Sequence, residues 1–99
     1  MFATYRKLKV NPGSAAEVAA LIQAEYMPLL DDVPGFVSYT LVDLGDDEIT
    51  SIGVFQSAES AAEANARAKS WVGERLSPFV ATPLDAREGA VLVNYLDTP

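Results

Sequence analysis

Ninety-nine residues make one domain, residues 1–99, since a single core serves roughly 50–200 residues. The chain has no cysteine and no histidine. That excludes disulfides, thiolate or imidazole metal ligation, a histidine-ligated haem and any catalytic site that needs a histidine. Fourteen acidic residues against seven basic ones give a net charge of −7, a field that repels phosphate backbones, so nucleic acid is not expected as a partner.

The amino terminus, Met1 to Arg6, lacks the basic-then-apolar design of a secretion signal. No apolar run approaches the roughly 18 residues that span a bilayer, so no membrane is expected and a cytoplasmic location is. Phe2 to Val10 reads as the first strand and ends at the turn cluster Asn11-Pro12-Gly13. Ser14 and Glu17 form an S-x-x-E capping box that opens a helix. At about 100° per residue, Val18, Leu21, Ile22, Glu25 and Leu29 share its inner face. Pro28 cannot donate to the carbonyl of Ala24, which predicts a kink or a loosened last turn.

Val33-Pro34-Gly35 ends that segment. The second strand runs from Phe36 to about Leu44 and the third from about Glu48 to Phe55, joined by the short turn Gly45-Asp46-Asp47. Ser57 and Ser60 are both credible caps for a second helix reaching about Leu76, and Ser60-x-x-Glu63 is a second capping box. Its apolar face carries Ala61, Ala64, Ala68, Trp71 and Val72. A loop with Pro78 and Pro83 follows, and Gly89 to Tyr95 reads as the last strand. The continuous apolar run Ala90 to Val93 suits a strand buried on both sides.

The order β, α, β, β, α, β predicts a ferredoxin-like α+β fold: a four-stranded antiparallel sheet with two helices on one face. Two helices leave the other face bare, yet the strands carry apolar residues on both. A second copy of the chain, docked through the open sheet face as a two-fold homodimer, is the expected cover.

Several polar residues interrupt apolar surfaces. Asn65 and Trp71 flank Ala68 on the inner face of the second helix, where small alanines leave room for a cavity walled by an indole and an amide. The same two residues also read as a large core side chain and a satisfied helix-edge amide, the commoner case for a buried aromatic. Glu25 sits near the predicted kink among Ile22 and other apolar neighbours. A carboxylate there has either a raised pKa and a general-base role, or a basic partner and a structural role. Arg6 is mid-strand: facing inward it clamps an anion or carbonyl, facing outward it is a solvated edge charge. The acidic group Asp43, Asp46, Asp47 and Glu48 misses the spacing of a calcium loop, so no metal is expected.

Met27-Pro-Leu-Leu30 leading into Pro34-Gly-Phe-Val-Ser-Tyr39 resembles the antibiotic biosynthesis monooxygenase-like family. So does Ser51 to Phe55 followed by Asn65 and Trp71-Val-Gly-Glu-Arg-Leu76, and the likeness spans almost the whole chain. The resemblance implies a dimeric α+β barrel and, for its quinone-forming members, oxidation of electron-rich phenols by dioxygen with no metal, flavin or other cofactor. It implies that Asn65 orients a phenolic oxygen or dioxygen and that Trp71 walls the ring, with Arg6, by analogy only, steadying a phenolate. Tyr39, Glu25, Ala68 and Ile22 are the expected further substrate contacts. Haem-degrading relatives need a histidine that this chain lacks. The alternative is a non-catalytic dimer that binds a small hydrophobic or aromatic ligand, and a third reading is an isomerase or lyase with Glu25 as base.

Overall fold

The computed structural model describes residues 1–95. Strand β1 (Phe2–Val10) leads into helix α1 (Ala15–Leu21), a π-helical turn (Ile22–Tyr26) and helix α2 (Met27–Asp31). The hairpin β2 (Phe36–Gly45) and β3 (Glu48–Phe55) follows, then helix α3 (Ala58–Trp71), a second π-helical turn (Val72–Leu76) and β4 (Val80–Ala90). All pairings are antiparallel and the strand order is β2-β3-β1-β4, which is the expected ferredoxin-like arrangement.

Local chemistry accounts for the joints. Asp46 and Asp47 both have positive φ, 55° and 60°, the geometry of a two-residue hairpin turn whose twist matches its strands. Two carboxylates of the acidic group are structural: Asp47 accepts from the Gly13 amide at 3.0 Å, and Asp43 accepts from the Gly45 amide at 2.9 Å. No cluster with metal-ligand character occurs among the described residues. Ser57 is the cap of α3, its hydroxyl accepting from the Ser60 amide at 3.1 Å, so the Ser60 box does not form. Ser14 stands at the start of α1 without a side-chain cap bond. No helix of the described residues is long and apolar enough to cross a membrane.

The first helical segment differs from a uniform helix in one decisive way. Its buried residues are Val18, Ile22, Tyr26, Leu30 and Val33, four apart through Leu30. Spacing of four drifts off the face of a 3.6-residue helix, and the π-turn absorbs the drift by adding a residue. Pro28 explains why the turn widens there: its ring clashes with the carbonyl of Ala24 in a regular helix and it has no N–H to give. The amide of Met27 accordingly reaches back five residues to the Ile22 carbonyl. Leu29, expected inside, is 36 % exposed.

The last strand is the main correction. It spans Val80–Ala90, not Gly89 to Tyr95, and beyond it Leu92, Val93 and Tyr95 lie 82–94 % exposed. β4 is an edge strand, paired only with β1, and Pro83 stands opposite Leu8 beside a register shift. An edge strand with a bulge tolerates proline and charge, because half its backbone groups face outward.

The core lies between the sheet and the helices. Phe55, Leu30, Leu76, Val10 and Val18 are its most enclosed large side chains, each contributing about 1.5–3 kcal/mol by burial. A register shift between Phe36 and Ser38 breaks the expected alternation of β2. Phe36, Tyr39 and Leu41 all pack on the core, while Val42 on β2 and Ile52 on β3 stay about two-fifths exposed on the opposite, bare face.

Candidate functional site

Between the sheet and α3 lies a cavity of about 40 Å³. The floor is β1 (Thr4, Arg6, Leu8), β2 (Tyr39, Leu41) and β3 (Ile49, Ser51, Gly53, Phe55), and the roof is Ile22, Tyr26, Leu30, Ala64, Asn65, Ala68, Trp71, Val72 and Leu76. Two sequence features make the space. Ala64 and Ala68 present only methyl groups to it. Gly53 presents none, and a Cβ there would sit 3.0 Å from the Thr4 hydroxyl and 3.1 Å from the Phe55 ring. Both π-turns border the cavity, through Ile22 and Tyr26 and through Val72 and Leu76.

Arg6 faces inward. Its Nη2 donates to Oδ1 of Asn65 at 2.9 Å, and Nδ2 of Asn65 donates to Oε2 of Glu88 on β4 at 2.9 Å. The guanidinium and the carboxylate together fix which end of the amide points which way. Arg6, Leu8, Asn65 and Val72 also line a second, open groove bounded by Val80, Pro83, Leu84 and Ala86. The Arg6–Asn65 pair therefore stands between the inner cavity and the surface.

The aromatic residues form a layered wall. Trp71 is 8 % exposed, and one face of its indole stacks on Tyr26 at 5.2 Å and 25°. Tyr26 in turn meets the edge of Tyr39 at 5.7 Å and 73°. Burial pushes the Tyr26 phenol up to about 12, with the neighbouring Tyr39 adding to the rise and Arg6 opposing it. Tyr39 is raised as well, chiefly by burial, against the pull of a Ser51 hydrogen bond and of Arg6. Both phenols are neutral donors at neutral pH.

Of the residues singled out from sequence, Arg6, Asn65, Trp71, Tyr39, Ala68 and Ile22 all border the one cavity. Glu25 does not. Its carboxylate accepts from Arg75 Nε at 2.8 Å and Nη2 at 2.9 Å, and from the Trp71 indole N–H at 3.3 Å. Arg75 holds its pKa below the ordinary carboxylate value, opposite to the rise a general base needs. The π-turn is the reason: the inserted residue gives the inward position to Tyr26 and turns Glu25 to the rim. Tyr26 was missed by the uniform 100° pattern, although its spacing of four from Ile22 and Leu30 signals it. Glu88 was missed because β4 was placed too late in the chain.

The family model for antibiotic biosynthesis monooxygenase matches residues 1–71. The chain belongs to that family, and the match takes in Arg6, Asn65 and Trp71 while stopping short of β4. A comparison with curated proteins gave no match.

Solved structures agree on the fold. A protein of unknown function, NE2512 from Nitrosomonas europaea, is 17 % identical with a TM-score of 0.78, covering 99 % of this chain and 95 % of that one. The ActVA-Orf6 monooxygenase of Streptomyces coelicolor, bound to nanaomycin D, is 18 % identical with a TM-score of 0.78, covering 98 % and 92 %. A mutant of SnoaB, a cofactor-independent oxygenase of Streptomyces nogalater, is 17 % identical with a TM-score of 0.74, covering 97 % of each chain.

Proposed function

We propose that the protein is a cofactor-independent monooxygenase that oxidises a small aromatic or polyketide-like substrate with dioxygen. The observation that carries this reading is the Arg6–Asn65 pair, a cation and an amide set at 2.9 Å on the border of an otherwise largely apolar cavity. Family membership supports it, as do the likenesses to the ActVA-Orf6 monooxygenase and the cofactor-independent oxygenase SnoaB.

Dioxygen reacts with an organic molecule unaided only if that molecule supplies an electron readily, as a phenolate or its carbanion form does. A fixed guanidinium beside an apolar wall favours that anion over its neutral acid. The anion passes one electron to dioxygen, the two radicals join in a C–O bond, and a proton from water completes the hydroperoxide. Loss of water then leaves a carbonyl: one oxygen atom enters the product and the other leaves as water. Arg6 steadies the phenolate and Asn65 orients its oxygen or the dioxygen. Trp71, with Tyr26 stacked on it, forms the wall for the ring.

The protein acts as a homodimer in this account. The second copy covers the bare sheet face carrying Val42 and Ile52, because exposed apolar surface of that kind is rarely left open on monomers. The competing reading is a non-catalytic domain holding a small hydrophobic or aromatic ligand. It is favoured by the cavity lining, which contains no Asp, Glu or Lys to serve as base. With Glu25 tied to Arg75 away from that lining, the isomerase or lyase reading loses the base it named.

Oxygen uptake separates the two. Metal- and flavin-free protein is offered a panel of anthrones, naphthols and hydroquinones. The oxygenase consumes oxygen above the buffer rate, and folded Asn65→Ala and Trp71→Ala variants lose that activity. Ligand binding with no uptake establishes the non-catalytic reading instead.

A further inference from the structure

Glu88 lies on β4, beyond the residues 1–71 that the family model matches. In the pairing of β4 with β1 it stands opposite Thr4, and Ala86 stands opposite Arg6. Side chains two apart on a strand share a face, and Thr4 and Arg6 both line the cavity. The register therefore sets Glu88 on the helix side of the edge strand, where Nδ2 of Asn65 reaches its carboxylate at 2.9 Å. Arg6 makes no ion pair of its own among the described residues. A carboxylate bound directly to the guanidinium would take up its fork of N–H groups and offset its charge. With the amide of Asn65 between them, a single guanidinium bond is spent, and the charge stays available to a ligand.

Sense matters in an amide, because one end accepts and the other donates. Here Oδ1 accepts from Arg6 and Nδ2 donates to Glu88. The reversed amide would set N–H against guanidinium and oxygen against carboxylate. Arg6 opposes that reversal while its N–H is given to Oδ1, but an anion drawing on the guanidinium competes for it. Glu88 does not attract the same ligand, so its hold on Nδ2 persists. Glu88 is exposed, so water screens its charge. Direction, more than field, is what it supplies.

We propose that Glu88 is a positioning residue of this site. Acting through Asn65, it keeps the amide carbonyl turned to Arg6 and leaves N–H groups, of Asn65 and of Arg6, for a ligand oxygen. The pair then prefers an oxygen that only accepts, so it takes a phenolate over its neutral phenol. The choice of phenolate rests on the oxygenase reading, whereas the hold on Asn65 needs no oxygen chemistry.

The probe is 4-nitrophenol, whose anion and neutral form absorb at different wavelengths, titrated with the full chain above and below the probe's own ionisation. Glu88→Gln and Glu88→Ala both remove the charge, and only alanine removes the acceptor. The difference between them isolates the hydrogen bond to Asn65. Wild-type protein binds the anion more tightly than the neutral form. Glu88→Ala binds the anion about threefold to tenfold more weakly than Glu88→Gln does, the scale of one net hydrogen bond. In an Asn65→Ala background the two Glu88 variants bind alike, a coupling that a merely structural role of Glu88 does not produce. The proposal falls if wild-type protein does not bind the anion, or binds the neutral form as tightly. It falls equally if the two variants bind the anion alike, or if their difference survives removal of Asn65. A difference that depends on Asn65, with no oxygen uptake on any substrate, upholds the role of Glu88 while ending the oxygenase reading. Oxygen uptake by wild type, with both Glu88 variants binding the anion equally, does the reverse.

Discussion

Tyr26 and Trp71 come from different helical segments, yet their rings stack at 5.2 Å and 25°, and each is placed beside a π-turn. The first turn ends at Tyr26 and the second begins just after Trp71. The wall of the cavity is thus built where both helices depart from regular spacing. The departure also separates Tyr26 from Glu25, sending one to the cavity and the other to an ion pair at the rim.

The burial of Tyr26 is open to direct titration. Its phenol ionises near 12 rather than the ordinary 10, so absorbance at high pH should show a late-titrating tyrosine that disappears in Tyr26→Phe. A raised folded-state pKa stabilises the fold fully below the unfolded value. That stabilisation is lost as the pH rises through the folded one. Unfolding by urea should therefore become easier between about 10 and 12, and less steeply so in Tyr26→Phe. A tyrosine spectrum that titrates wholly near 10 contradicts the placement.

Glu25 has the opposite sign. Its carboxyl is held below the ordinary 4.5 by Arg75, with Trp71 helping. A depressed folded-state pKa stabilises above the unfolded value and ceases to do so as the pH falls through the folded one. Glu25→Gln should lower stability slightly at neutral pH and flatten its decline under acid, read by thermal melts at several pH values. It should leave oxygen uptake intact, since Glu25 does not line the cavity. Loss of turnover in a folded Glu25→Gln protein would restore the carboxylate as a base.

Gly35 closes the turn between α2 and β2 with φ of +88°. A Cβ at this position would stand 2.5 Å from the Ser60 hydroxyl oxygen. Gly35→Ala should cost about 1–2 kcal/mol for the left-handed backbone alone, with the contact to Ser60 adding to it. A chemical denaturation curve within experimental error of wild type would show that the turn does not need glycine.

Much of the fold was legible in the sequence because it depends on short-range signals. Phe2 to Val10, the Asp46-Asp47 turn and the Ser57 cap each carry a local chemical reason for what they form. β4 was not legible: Pro83, Asp85, Arg87 and Glu88 carry no strand pattern and fell before the strand expected from Gly89, and only an edge position beside β1 makes them part of one. The apolar run after Ala90 drew the assignment forward, yet Leu92 and Val93 are exposed. At the site, Arg6, Asn65 and Trp71 were recognisable as exceptions to apolar patterns. Tyr26 fell outside the uniform 100° pattern because the π-turn adds a residue and turns it inward, and only its spacing of four from Ile22 and Leu30 signals it.

The bare sheet face gives a prediction about assembly. Ile52 is 42 % exposed on the side away from the helices, so Ile52→Lys should leave the protomer folded while placing an unpaired charge in the interface of the proposed dimer. Light scattering across a dilution series should show dissociation at a protein concentration at least tenfold higher than for wild type. A wild-type protein that is monomeric throughout, or a variant that dimerises equally well, removes this face as the interface.

The central claim is that Arg6 supports transfer of one oxygen atom from dioxygen to an aromatic substrate without a cofactor. The most direct measurement supplies isotopically labelled dioxygen and an anthrone to metal- and flavin-free protein and weighs the product by mass spectrometry, for wild type and Arg6→Gln. The account predicts one labelled oxygen per product molecule and a rate reduced by about 10²–10³-fold in the variant, the scale for losing one fixed electrostatic donor. Unlabelled product, no product across the substrate panel, or an undiminished rate in Arg6→Gln would contradict it.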